Sequence, residues 1–195
     1  MEQLATKIVS RMIIADIITS DDADEYRYSI QIFLERILSY ALIMTIAVAF
    51  RCFISTLVFS LSFAAIRTFS GGYHCKSYIS CLVLSTVVSL SCGFISPLID
   101  LYRSIYQGCA IMSIIIVFIV GSVNNHNIDW SAEEYRRVKA LSRLTLLVEI
   151  SILLLIRVSN IPDSLSFYIS YGIVACAISI LIEIRKRGGI AYEVY

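Results

Sequence analysis

Charge is scarce in this chain. Asp, Glu, Lys and Arg make up 16% of its 195 residues, against about 25% in soluble domains. No polar stretch is long enough to bury a core of its own, so no separate soluble domain is expected. Histidine occurs only as His74 and His126, so imidazole chemistry has two places to be. None of the six cysteines stands in a CxxC pair, and a disulfide framework is not expected. Cys52, Cys92, Cys109 and Cys176 lie in apolar runs, where a free cysteine packs as a small hydrophobe. Internal repeats and low-complexity tracts are lacking. The N-terminal stretch has no uninterrupted apolar region of the signal-peptide kind. The net charge of +1 points to no charged partner, and nucleic acid is not expected.

Apolar side chains are abundant. They form 58% of the chain, against roughly 45–50% in soluble domains, and the mean hydropathy is +0.80. The expected class is an all-α, polytopic helical membrane protein, a single unit over residues 1–195. Leu4, Ile8, Met12 and Ile17 recur at helical spacing with Lys7, Arg11 and Asp16 between them. This predicts an amphipathic helix over 1–20 lying in the membrane interface. The acidic run Asp21–Glu25 breaks it and can cap the next helix.

Transmembrane helices are expected within 30–184, followed by a tail at 185–195. One span needs about 20 apolar residues. The block Ile30–Ile66 is too long for one, and it is divided near Arg51 although neither Gly nor Pro marks a turn there. Further spans are expected at Tyr78–Leu98, Ile105–Val123, Leu144–Val158 and Leu165–Ile184, six in all. With the N-terminus inside, the inner segments hold Lys7, Arg11, Arg27, Arg67, Lys76, Arg136, Arg137, Lys139, Arg143, Arg185, Lys186 and Arg187. The outer turns keep Arg51 and Arg103, with Arg157 near a helix end. This asymmetry obeys the positive-inside rule, and it puts both ends and the His74 segment on the cytoplasmic face. In the polar connection 124–143, Ser131 and Glu134 fit a capping box for a helix starting near Ala132.

The stretch Arg67-Thr-Phe-Ser-Gly71-Gly72-Tyr-His74-Cys-Lys-Ser77-Tyr-Ile-Ser-Cys81 carries the chemistry. Two residues seven apart on one helix lie about 10 Å apart along its axis, whereas a proton transfer needs about 3 Å. His74 and Cys81 therefore cannot both be mid-helix and act together. Gly71-Gly72 permits a turn with unusual backbone angles, Ser77 can cap the helix that follows, and Cys81 falls in its first turns. The positive end of that helix favours a thiolate, and its free N–H groups can receive an oxyanion. Ser77, Cys81, Ser85 and Ser89 form one polar stripe.

Other readings stand beside this one. A lone cysteine in an apolar helix is ordinarily a packing residue, and a histidine at a membrane edge is ordinarily solvated. Cys75 is a competing nucleophile, but a loop position would leave it exposed. A zinc site from His74, Cys75, Cys81 and His126 lacks the usual paired spacings, and neither a metal nor a cofactor is expected. Glu149, an ionisable residue inside a span, is a functional suspect; an ion pair with Arg143 or Arg157 is favoured over a role in orienting His74. A small transporter or channel subunit, or a non-catalytic scaffold, is the alternative class. The transporter leaves the Gly-Gly-His-Cys segment unexplained, and the scaffold would have Cys81 as packing.

Arg67-(x)3-Gly71-Gly72-Tyr-His74-(x)6-Cys81 resembles the signature of the AgrB family, membrane cysteine endopeptidases of Gram-positive quorum sensing. The similarity extends over nearly the whole chain. The usual proline at the start of the later connection is replaced by Gly121-Ser-Val-Asn-Asn. The resemblance implies an endopeptidase that trims the C-terminal tail of an AgrD-like precursor peptide and promotes its cyclisation to an autoinducing signal. It implies His74 as general base and Cys81 as nucleophile. Arg67, Gly71 and Gly72 fall in the matching motif, and Arg136 and Arg137 are candidates for the later basic positions. It further implies a homodimer in the cell membrane, in contact with lipid.

Overall fold

The structure is a computed structural model and describes residues 1–75, 77–123, 131–159 and 161–186. Among the described residues seven α-helices follow one another: α1 Glu2–Ile14, α2 Ala23–Ala49, α3 Phe53–Ser70, α4 Tyr78–Ile95, α5 Arg103–Val120, α6 Ala132–Val158 and α7 Asp163–Lys186. A 3-10 turn over Ser96–Leu98 extends α4. Among the described residues there is no strand, and the expected all-α polytopic architecture is met.

Among the described residues five helices, α2, α3, α4 with its extension, α5 and α7, are long and apolar enough to cross a membrane. The expected division near Arg51 is present. Without Gly or Pro, the turn is made by Arg51 itself in the left-handed region (φ 55°), while Cys52 N donates to Ala47 O at 2.9 Å. Of the six expected spans, the one placed at Leu144–Val158 falls in the C-terminal half of α6, and α6 is not among the five, because charged side chains recur along it from Glu133 to Arg157.

The chain forms two compact units, Met1–Ile46 and Ala47 onward. In the first, α1 buries Ala5 and Val9 and leaves Leu4 and Ile14 exposed, as an amphipathic helix should. It ends earlier than the expected 1–20: Asp16 adopts φ 53° and its N–H turns back to Ile13 O, so Ile17 lies beyond the helix.

In the second unit, α3 and α7 pack most extensively, with α5 and α6 against them. The buried face of α3 is Ser55, Thr56, Phe59, Ser60, Ser62, Ile66 and Ser70. Small side chains let helix backbones approach where lipid removes the hydrophobic drive for association. Gly172 of α7 shows how close the approach is: a Cβ there would lie 2.6 Å from Ser62 Oγ. Ile66, Val117, Leu146, Ile173 and Ile180 fill the centre, while Leu61, Ile79, Val83, Val87, Ile111 and Leu154 face outward. Apolar outer faces over a serine-rich interior are the arrangement of a protein solvated by lipid. The chain is a membrane protein.

Glu149 is buried in this interior at 5% exposure. The favoured ion pair is not what it makes: the Ser62 hydroxyl lies 2.8 Å from Glu149 Oε2 and 3.1 Å from Ile169 O. Arg143 is drawn elsewhere, donating from Nε to Phe118 O at 3.0 Å with its guanidinium over the Phe118 ring. Arg157 is exposed and lies eight residues away, about 12 Å along the axis.

Candidate active site

Alternating helix directions bring the C-terminal ends of α3, α5 and α7 and the N-terminal ends of α4 and α6 to one end of the second unit. The last carbonyls of a helix need partners from outside it, and here they come from neighbouring elements. Val123 N donates to Ser70 O at 2.8 Å, at the end of α3. After α5, Ser142 Oγ donates to Gly121 O at 2.7 Å and Tyr135 Oη to Ser122 O at 3.1 Å. The α6 residues can do this because α6 starts where expected, with the Ser131–Glu134 capping box formed in both directions.

The Gly-Gly turn is held from three sides. Gly71 (φ 66°) and Gly72 (φ 108°) both occupy left-handed backbone, where L side chains are strained. The Arg67 guanidinium, in the last turn of α3, donates to Gly71 O and Tyr73 O and to Ser179 Oγ of α7 at 2.9 Å. Gly71 pairs with Val123 in an isolated parallel bridge, and Tyr73 N donates to Ser179 O at 3.0 Å. A Cβ on Gly71 would run into Val123 O, and one on Gly72 into the Arg67 guanidinium and, at 2.9 Å, into Ser179 Oγ. Arg67 is thus built into the scaffold of the turn. A planar fork of donors suits a site with several carbonyls to satisfy at once.

His74 follows on this connection, outside any helix and exposed. Ser77 caps α4 as expected: its side chain accepts from Ser80 N at 3.2 Å. Cys81 is the fourth residue of α4 and half-buried, and its N–H bonds back to Ser77 O at 3.1 Å. The histidine is therefore on the turn and the cysteine just inside the helix, the division that the spacing requires. Arg136 and Arg137 sit exposed on the first turns of α6 at this same end, and Arg136 Nε donates to Ala132 O of its own helix at 3.2 Å. Lys76, His126 and residues 187–195 lie outside the described residues.

Cys75 departs from expectation. It is half-buried rather than exposed. Burial, then the neighbouring Cys81, pushes the Cys75 thiol above the ordinary cysteine range. The Tyr73 hydroxyl is raised too, chiefly by Cys75. Four to seven residues along from Ser179, one stripe of α7 adds two more groups. Glu183, buried at 6%, acts electrostatically on Tyr73, and Lys186 Nζ stands 5.4 Å from the centre of the Tyr73 ring. Sequence reasoning passed over Tyr73, Ser179, Glu183 and Lys186. Glu183 carried a signal, an acidic residue at the end of an apolar run. Among the described residues, no cluster of three or more His, Cys, Asp or Glu side chains could hold a metal ion.

The family model described as accessory gene regulator B matches residues 1–183, a range that contains the stretch from Arg67 to Cys81. Neither the curated proteins nor the solved structures gave a match. With a match over that much of its length, the chain belongs to the AgrB, accessory gene regulator B, family.

Proposed function

We propose that this protein is a membrane cysteine endopeptidase that removes the C-terminal tail of an AgrD-like precursor and passes the remaining peptide on to a ring. Family membership supports the substrate class. The observation that carries the chemistry is Cys81 in the first turns of α4, directly behind a clamped Gly-Gly turn that bears His74. In this reading His74 takes the Cys81 proton and the sulfur attacks the carbonyl preceding the tail. The first-turn N–H groups of α4 point out of the helix end and favour the negative charge that develops on the carbonyl oxygen. His74 returns the proton to the leaving amine, and an acyl thioester remains on Cys81. A thiol or hydroxyl of the same peptide then attacks the thioester and closes the ring. Holding that group against the thioester supplies effective concentration, and a membrane groove keeps competing water away.

The same reading gives the basic residues two jobs. Arg67 organises the turn, and Arg136 and Arg137 on α6 attract the precursor's tail, which the family resemblance implies is acidic, from a distance. Arg67, Arg136, Arg137, Lys139, Arg143, Arg185 and Lys186 all belong to the end that holds the motif, whereas Arg51, Arg103 and Arg157 belong to the other. That bias favours a cytoplasmic site. The Gram-positive cell membrane and the homodimer belong to this reading through the family resemblance alone. The test is co-expression with a tagged precursor. Cys81→Ala and His74→Ala are each expected to abolish tail removal while the protein still inserts in the membrane. Normal cleavage by Cys81→Ala would overturn the assignment.

A further inference from the structure

α7 meets the Gly-Gly turn at Ser179, the only hydroxyl between Cys176 and Glu183. Two of its oxygens take part. The side-chain Oγ accepts from the Arg67 guanidinium at 2.9 Å. The main-chain oxygen, well inside α7, accepts from Tyr73 N at 3.0 Å. A carbonyl oxygen has two lone pairs, so this second bond need not displace the helix ladder. The approach is backbone to backbone: a Cβ on Gly72 would lie 2.9 Å from Ser179 Oγ and 3.2 Å from its carbonyl carbon. Exposure then alternates along the connection. Tyr73 and Cys75 are half-buried and His74 is exposed, as when successive side chains take opposite faces of extended backbone. The imidazole thus stands on the open side of a segment whose back is fixed to α7. Cys81 is held by a different element: its N–H bonds to Ser77 O at 3.1 Å, in a helix that Ser77 caps.

We propose that Ser179 is a positioning residue for His74: its two oxygens dock the turn on α7 and so set where the imidazole stands relative to the Cys81 sulfur. The role rests on the reading of His74 as base and Cys81 as nucleophile; the docking of the turn does not. Proton transfer needs a separation of about 3 Å, and a misplacement of about 1 Å can cost on the order of a hundredfold in rate. The position makes two demands, an acceptor oxygen for Arg67 and a side chain small enough to leave Gly72 its place. Serine meets both, alanine only the second, and leucine neither. Because Ser179 acts through His74, its removal weakens the chemical step and leaves precursor binding alone.

The experiment uses the full-length protein in membranes, a tagged precursor, and hydrogen exchange resolved at Tyr73 N–H. Ser179→Ala is expected to lower kcat for tail removal at least about tenfold, the weight of one charge-assisted bond, with KM within about twofold. Its residual rate should keep rising with pH, as for a thiol that ionises without a base; a mere fraction of misfolded protein would lower kcat and leave the pH profile as it was. In Ser179→Leu the Tyr73 amide should exchange at least about tenfold faster than in wild type, having lost its acceptor. Wild-type kcat in Ser179→Ala, a loss carried by KM alone, an unchanged pH profile, or unaltered Tyr73 exchange in Ser179→Leu would each overturn the proposal. Cys81→Ala is run in parallel. Wild-type kcat in Ser179→Ala beside an inactive Cys81→Ala removes the positioning role alone. Cleavage by Cys81→Ala removes the peptidase reading and the role of Ser179 with it, and Tyr73 exchange then reports only the docking.

Discussion

Arg67 of α3 donates to Ser179 Oγ of α7 at 2.9 Å, across 112 positions of sequence, while the same guanidinium satisfies two carbonyls of the Gly-Gly turn. One side chain thus ties the end of α3, the turn and α7 into one corner. A charge there that served only to attract an acidic peptide tail would not need this geometry.

Arg67→Lys separates the two roles. Lysine keeps the charge but offers a single ammonium in place of a planar fork. Loss of the charge-assisted bonds, about 1.5–3 kcal/mol in total effect on the turn, predicts a fall in precursor cleavage of at least about tenfold. Membrane insertion should be unchanged. Activity within about twofold of wild type, measured at equal expression, would mean that charge alone suffices.

Gly72→Ala is expected to be at least as damaging. The substitution puts a Cβ at φ 108° and into Arg67 and Ser179. Left-handed strain of this kind costs of order 1–3 kcal/mol before the clash is counted. Cleavage should be lost with helix content retained by circular dichroism. A fully active Gly72→Ala would show that the turn can move without consequence.

The Ser77 cap is a milder test. Replacing a capping serine by alanine costs about 1 kcal/mol, so Ser77→Ala should slow cleavage several-fold. Ser77→Asp should recover it, because aspartate caps equally well and its charge suits the positive helix end. Equal rates for Ala and Asp would separate the Ser77 side chain from the placement of Cys81.

Cys75 has a pH signature. Its thiol is raised, first by burial, and only the thiolate alkylates. Its deprotonation therefore needs more alkaline solution, and site-resolved iodoacetamide labelling of Cys75 should rise at higher pH than labelling of free cysteine in the same buffer. A midpoint at or below that of free cysteine contradicts the burial described here. Cys75→Ala should retain substantial cleavage activity, and complete loss would reopen the choice of nucleophile.

The parts of the architecture set by local physics were legible from residues alone. Charge asymmetry required a break near Arg51 that no turn residue advertised, and the break is there. Ser77 and the Ser131–Glu134 box announced the starts of α4 and α6 because a cap is encoded within four residues. Long-range partnerships were not legible. Nothing local to Arg67 names Ser179, and nothing local to Glu149 says that Ser62 outcompetes the arginines of its own helix. A loop position does not by itself mean exposure, and Cys75, outside any helix, is half-buried. The α1 boundary was overrun because the apolar period continues to Ile17 after the backbone has already turned at Asp16.

α6 carries a mechanical implication. Its 27 residues are roughly 40 Å long at about 1.5 Å each, and Ser142 and Arg143 brace it against the end of α5. Arg136 and Arg137 stand on the turns before that brace, so their place relative to α4 is set by a stiff element. On the function proposed above, with those two residues taking the tail, the helix would serve as a ruler: the length between tail and scissile bond, and not charge alone, would decide which bond reaches the sulfur.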